Sequence, residues 1–93
     1  MKDAVPDSFV RALTALPIGT TMGRFGEQRY AVSKTLHAAG KSVKLVAEET
    51  GGQDYISLNL YILASGSRLY PCEMSRGKVI RFVEGFEPDQ SAA

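Results

Sequence analysis

The sequence has few of the residues from which disulfides and metal sites are built. Its 93 residues include one cysteine, one histidine and no tryptophan. A single cysteine excludes an internal disulfide and a cysteine-rich zinc site, and one histidine adds too few ligands for another transition-metal site. We therefore expect no cofactor, no metal, and a reducing, cytoplasmic setting.

Long apolar runs are also missing. No stretch approaches the about 18 residues of a membrane helix, and Asp7, Arg11 and two prolines interrupt the N-terminal segment, unlike a signal peptide. Hydrophobic residues make up 44%, charged residues 23%, and the net charge is +1, which excludes a disordered chain. We expect one domain over residues 1–93, with an ordered body from about 6 to 86, a frayed tail at 87–93, and no membrane partner.

Two segments have helical periodicity. Phe9, Leu13 and Leu16 follow Pro6 at helical spacing and Pro17 ends the pattern, which predicts a helix over 6–16. A second helix is predicted from the N-cap Ser75 to Gly85, with Met74 packing on its first turn. Its inward stripe consists of Val79, Phe82, Val83 and Phe86.

Between the helices the pattern alternates every second residue, as in strands. Turns at Gly26-Glu27, at "AAGK", at "TGGQD" and at "ASGS" separate five such segments. The later four are residues 28–36, 42–49, 54–64 and 68–73. Lys34 interrupts the apolar face of its strand and is expected at the rim, and Pro71 places the last strand at an edge.

The fold class predicted is therefore α+β: an N-terminal helix, an antiparallel meander of about five strands, and a C-terminal helix. Short turns make consecutive strands antiparallel neighbours. Both helices are amphipathic and are expected on one face of the sheet, which leaves the other face open.

The run "DYISLNLYIL", residues 54–63, shows what that open face carries. Its alternate residues Ile56, Leu58, Leu60 and Ile62 are expected in the core. The others, on the open face, are Tyr55, Ser57, Asn59, Tyr61 and Leu63. With Val46, these tyrosines are more apolar than a solvated face requires, so we predict a binding surface that comprises Tyr55, Asn59, Tyr61, Lys44 and Arg29.

Three uses of the open face remain possible at this point. The first is a solvated face on which the tyrosines serve only as strand formers. The second is a surface for self-association or for another protein, and the third is a platform for single-stranded nucleic acid. The uneven charge along the chain favours the third use, because residues 1–47 carry a net charge of +4 and residues 48–93 a net charge of −3. The basic residues around the first two hairpins are Arg24, Arg29, Lys34, Lys41 and Lys44.

Cys72 is the one candidate catalytic residue. It lies three residues before Ser75, and Arg68 and Arg76 are close in sequence. A helix N-terminus or a nearby cation activates a thiol, whereas a free cysteine beside a core strand is more often an inert apolar side chain.

The runs "RYAVSKTLHAAGKSVKLVAEETGGQDYISLNLYIL", "PCEM" and "KVIRFV" resemble a group of small uncharacterised bacterial proteins, over residues 22–84. Some members of that group carry the label peptide methionine sulfoxide reductase. The Gly-Cys-Phe-Trp, Arg-Tyr-Cys and paired CxxC motifs of those reductases do not occur in this chain, so the resemblance assigns no functional residue.

We expect a non-enzymatic binding or interaction module of a bacterial cytoplasm that uses the open sheet face, with itself or another protein as partner. The alternatives are a thiol-dependent enzyme that uses Cys72 and a single-stranded nucleic-acid-binding platform.

Overall fold

The computed structural model describes residues 5–89, and within them the chain forms two helices and one six-stranded sheet. The helices are α1 (Asp7–Ala15) and α2 (Arg76–Gly85). The strands are β1 (Gly19–Phe25), β2 (Gln28–His37), β3 (Ser42–Glu49), β4 (Tyr55–Leu63), β5 (Gly66–Pro71) and β6 (Glu87–Pro88). The α+β class is confirmed.

The sheet has the order β5-β4-β3-β2-β1-β6, and every neighbouring pair is antiparallel. Two-residue and short turns produce the meander from β1 to β5. Gly26, in the β1–β2 turn, has φ 64°, a conformation that glycine adopts without steric cost. Strand β5, which ends at Pro71, lies at the sheet edge, as predicted.

The strand count of about five was wrong, because the chain adds a sixth strand after α2. Glu87 pairs with Arg24 and Pro88 with Gly23 on β1. Gly23 permits this pairing, since a Cβ there would collide with the Glu87 carbonyl and the Phe86 ring. The sequence predicts a frayed tail from residue 87, whereas residues 87–89 follow β1; residues 90–93 lie outside the described part.

Both helices cover the same sheet face and contact each other there. Phe9 and Leu13 of α1 are buried against the sheet, as are three residues of α2. Strand β4 contributes Ile56, Leu58 and Leu60 to this core. The largest fully buried side chains are Phe9, Phe82, Leu13, Leu45, Ile56, Leu58, Leu60, Val32 and Val79.

Lys34 lies in this core rather than at the predicted rim, with 5% of its surface exposed. Its ammonium donates to three carbonyls at the end of α1: Leu13 (2.9 Å), Thr14 (3.2 Å) and Leu16 (2.7 Å). The last carbonyls of a helix have no partner within the helix, and a cation there also suits the helix dipole. Burial lowers the pKa of Lys34, and the three acceptors use all of its hydrogens.

Two aliphatic residues expected on the core face are not buried. Leu36 and Ile62 are each 42% exposed. Helix α1 has nine residues and ends before Pro17, so it is too short to reach the end of the sheet where these side chains emerge.

Helix α2 begins where the sequence predicts, directly after the N-cap residue Ser75. The Ser75 hydroxyl accepts a hydrogen bond from the Lys78 backbone N–H at 3.1 Å, which is an N-cap. Met74, before it, is partly buried against the core cluster, to which Val79 of α2 also belongs.

Two substitutions on β4 test the assignment of its faces. Leu58→Ala should lower the free energy of unfolding by about 2–5 kcal/mol, because it leaves a cavity in the core. Ser57→Ala, on the opposite face, should change it by less than about 0.5 kcal/mol. Urea unfolding measures both, and the reverse order would contradict the assignment.

Lys34→Met should destabilise the protein by about 1–3 kcal/mol, because carbonyls at the end of α1 lose their donor. Lys41→Met, at an exposed lysine, is the matched control and should have little effect. Equal urea midpoints for the two variants would show that the Lys34 ammonium contributes nothing to stability.

Candidate functional site

The helix-free side of the sheet, here called the open face, is defined by the register. Cross-strand partners share a face, and Val46 stands opposite both Ser33 and Ser57. The five residues predicted for binding all lie on this face. Its central members are Arg29, Ala31, Ser33, Thr35, Lys44, Val46, Glu48, Tyr55, Ser57, Asn59, Tyr61, Leu63, Arg68, Tyr70 and Cys72.

Three exposed tyrosine rings lie on the open face. Tyr61 and Tyr70 meet edge to face, with ring centroids 5.4 Å apart and planes at 74°. They remain 39% and 50% exposed. The sequence pattern did not indicate Tyr70, because its place beside Tyr61 depends on the β4–β5 register. The available signal was its position two residues before Cys72 on an alternating strand.

The third tyrosine of the open face is held by an acidic neighbour. The Tyr55 hydroxyl donates to Glu73 Oε1 at 3.2 Å. That carboxylate raises the pKa of Tyr55, since it favours the protonated phenol. The ring itself stays exposed at the end of β4.

Cys72 is half-buried on the open face, and its backbone N–H donates to the Ser57 carbonyl at 3.0 Å. The amide nitrogen of Asn59 lies 3.8 Å from its Sγ. This amide is neutral and cannot remove a proton. His37, which hydrogen-bonds Thr35 at 3.1 Å, stands near the far end of β2.

The C-terminal segment neutralises two of the basic residues on this face. Arg29 forms an ion pair with Asp89 at 2.6 Å, and Arg24 lies 3.6 Å from a carboxylate oxygen of Glu87. The hydrogen bond from Arg29 to Asp89 raises the pKa of that guanidinium. The open face therefore carries mixed charge rather than a cationic groove.

Lys44 and Glu48 remain on the open face as charges of opposite sign. Both are exposed on β3, on either side of Val46. Among residues 5–89 neither has an ion pair or a side-chain hydrogen bond.

A cluster that the sequence did not indicate lies on the core side. The hydroxyl of buried Tyr30 donates to Asp54 Oδ2 at 2.7 Å, and Lys78 Nζ donates to Oδ1 at 2.8 Å. Desolvation is the main cause that raises the pKa of Tyr30, and the hydrogen bond to Asp54 raises it further. The hydrogen bonds that Asp54 accepts from Lys78 and Tyr30 lower the pKa of its carboxyl. The three polar groups are hydrogen-bonded to one another through Asp54. The cluster therefore attaches α2 to the sheet and does not offer a free acid or base.

A groove of about 520 Å³ lies at the end of the core side, past the last turn of α1. Its walls are mainly aliphatic, and Leu36, Ile62 and Ile18 are exposed there. The Lys34 ammonium, at the same groove, is already fully bonded to carbonyls. The one other polar side chain among the lining residues is that of Thr14, so the groove offers few polar groups to orient a small ligand.

Neither a metal centre nor a membrane helix is found in the described part of the chain. Residues 5–89 contain no group of three or more metal-ligating side chains close enough to hold an ion. No helix among them is long and apolar enough to cross a membrane.

Comparisons of the chain with models of protein families, with curated proteins and with solved structures found no significant match. The resemblance to small bacterial proteins stays a prediction, and a function has to be argued from the geometry of the site.

The Tyr30–Asp54–Lys78 cluster generates a pH dependence. Because the pKa of Asp54 is lowered in the folded state, its stabilisation is complete above the unfolded pKa of about 4 and is lost as pH falls through the folded pKa. Asp54→Asn should therefore destabilise the protein at pH 7, and the difference from the wild type should shrink below about pH 4.

Urea unfolding between pH 3 and 7 measures this difference. In a Lys78→Met background the same substitution should have a smaller effect at pH 7, because the main cause of the lowered pKa is gone. A difference between the wild type and the Asp54→Asn variant that is constant with pH would contradict the role of the carboxylate.

Proposed function

We propose that this protein is a non-enzymatic interaction module that binds a protein partner through the open face. The observation that carries the proposal is the concentration of exposed apolar side chains on one helix-free surface. Tyr55, Tyr61, Tyr70 and Leu63 are each 39–50% exposed there. Aromatic residues with apolar rings and polar ends are the side chains that protein interfaces favour.

The surroundings of Cys72 support binding over thiol chemistry. A reactive thiolate needs a cation, a helix N-terminus or a base beside the sulfur. The neutral Asn59 amide lies 3.8 Å from Sγ, and the thiol is half-buried. Cys72 therefore acts as a small side chain of the open face.

The ion pairs of the C-terminal segment support a protein partner over a nucleic acid. Binding to single strands combines stacking rings with cations that follow the phosphates. The tyrosines provide rings, but Arg29 and Arg24 are paired with Asp89 and Glu87. Glu48 and Glu73 add negative charge beside the tyrosines.

A bacterial cytoplasm is the location we propose for this module. Its support is chemical: the chain has one cysteine, and the thiol is free in the structure. Disulfides are common in oxidising compartments and rare in reducing ones.

Site-specific photo-crosslinking in living source cells tests the proposal. A photoreactive phenylalanine analogue replaces Tyr61 on the open face or, as a matched control, Arg11 on the exposed side of α1. We expect protein adducts from position 61 and few from position 11, and Tyr70→Ser should reduce the former because it removes the neighbouring ring. Equal adduct yields from the two positions would contradict a partner on the open face.

Nuclease treatment of the adducts distinguishes the alternative. Adducts that shift on the gel after nuclease would show that the partner is a nucleic acid, and the protein-partner proposal would fail. Adducts that keep their mobility after nuclease, and that a protease digests, support it.

A further inference from the structure

We infer that the partner on the open face is a second copy of this chain, packed face to face about a two-fold axis that passes over β3 at Val46. The inference rests on the proposed function, because it identifies the partner of the same surface. In this arrangement β3 of one copy runs antiparallel to β3 of the other, one sheet about 10 Å above its counterpart.

The charges of β3 are self-complementary about Val46. Lys44 and Glu48 each lie two residues from Val46, on the same face, about 7 Å away along the strand. A two-fold axis that lies between the sheets at Val46, perpendicular to the strand, places Lys44 of each copy over Glu48 of the other. Neither side chain has an ion pair or hydrogen bond within residues 5–89, so both are free to pair across the interface.

Sheet twist does not remove this match. Aligned sheets pack with strands rotated by about 30°, which displaces positions 7 Å from the axis by only about 4 Å. Lysine and glutamate side chains are long enough to span that displacement. Each dimer then contains two symmetry-related Lys44–Glu48 pairs.

The residues level with Val46 are small, which allows the two sheets to approach. Ser33 on β2 and Ser57 on β4 are its direct cross-strand partners. Cys72 continues the row, because its N–H bonds to the Ser57 carbonyl. Larger side chains stand on both sides of this row rather than on it.

The neighbouring strand β4 also matches its own copy. Tyr55 and Asn59 lie two residues on either side of Ser57. The same axis therefore places the Tyr55 ring of one copy over the Asn59 amide of the other. The ring is covered, while its hydroxyl keeps the hydrogen bond to Glu73 at the rim.

The open face is large enough for a stable dimer. The molecule measures 38 × 28 × 20 Å. Two stacked layers about 10 Å apart correspond to the shortest dimension, which leaves 38 × 28 Å for the sheet face. Specific interfaces bury about 800 Å² on each partner, an area that such a face can supply.

Reversing the charge of Lys44 or of Glu48 tests the arrangement. Sedimentation equilibrium of the purified full chain measures dimerisation. We expect the wild type to dimerise in the micromolar range. Lys44→Glu alone and Glu48→Lys alone should each weaken the dimer at least about tenfold, because each brings like charges together across the axis. Arg11→Glu, on α1, is the control and should leave dimerisation unchanged.

Recombining the charges gives the decisive comparison. An equimolar mixture of the two single variants should form a heterodimer at least about tenfold tighter than either homodimer, since every pair of charges is again opposite. The double variant Lys44→Glu/Glu48→Lys should dimerise like the wild type. Circular dichroism confirms folding, and both side chains are exposed, so neither change should unfold the protein.

The inference is overturned by a wild type that stays monomeric at several hundred micromolar, or by a mixture of the two single variants that is no tighter than either variant alone. If the wild type is monomeric while position 61 crosslinks in cells to a different protein, the second copy is rejected and the interaction module is retained. A dimer whose affinity none of the charge changes affects would also reject the axis at Val46.

Discussion

One geometric constraint governs this molecule: two helices in one layer can cover only one face of a sheet. Helices α1 and α2 contact each other on the core side, where Phe9 and Leu13 are buried together with Ile56, Leu58 and Leu60 of β4. No element among residues 5–89 is left for the opposite side. An antiparallel sheet tolerates this, because its strands alternate between faces and one face can remain in water.

The polar groups divide in the same way as the faces. On the core side they are used for structure: Lys34 bonds the last carbonyls of α1, and Asp54 joins Tyr30 to Lys78 on α2. A buried polar group without a partner is costly, so these bonds are required wherever the core includes one. On the open face Lys44 and Glu48 form no such bonds within residues 5–89. A surface of exposed rings and free, opposite charges is therefore suited to a partner.

The last strand determines the electrostatic character of that surface. Strand β6 joins the edge of β1 through a position where only glycine fits, and it brings Glu87 and Asp89 to two arginines. Without these carboxylates the open face would resemble the basic, tyrosine-lined platforms that bind single strands. With them, the charges are balanced, and a surface of balanced charge can be complementary to itself.

The sequence alone determined the two helices, the meander, the edge position of β5 and the division of β4 into a core face and a tyrosine face. These features follow from local periodicity, proline, glycine and capping residues, whose effects extend over a few neighbours. Only the tertiary structure decided the burial of Lys34, the exposure of Leu36 and Ile62, the pairing of Tyr61 with Tyr70, and the pairing of Arg29 with Asp89. Each of these depends on where a helix ends over the sheet or on which distant residues the register brings together. No local pattern carries that information, because side chains 18 or 60 positions apart meet only once the sheet is formed.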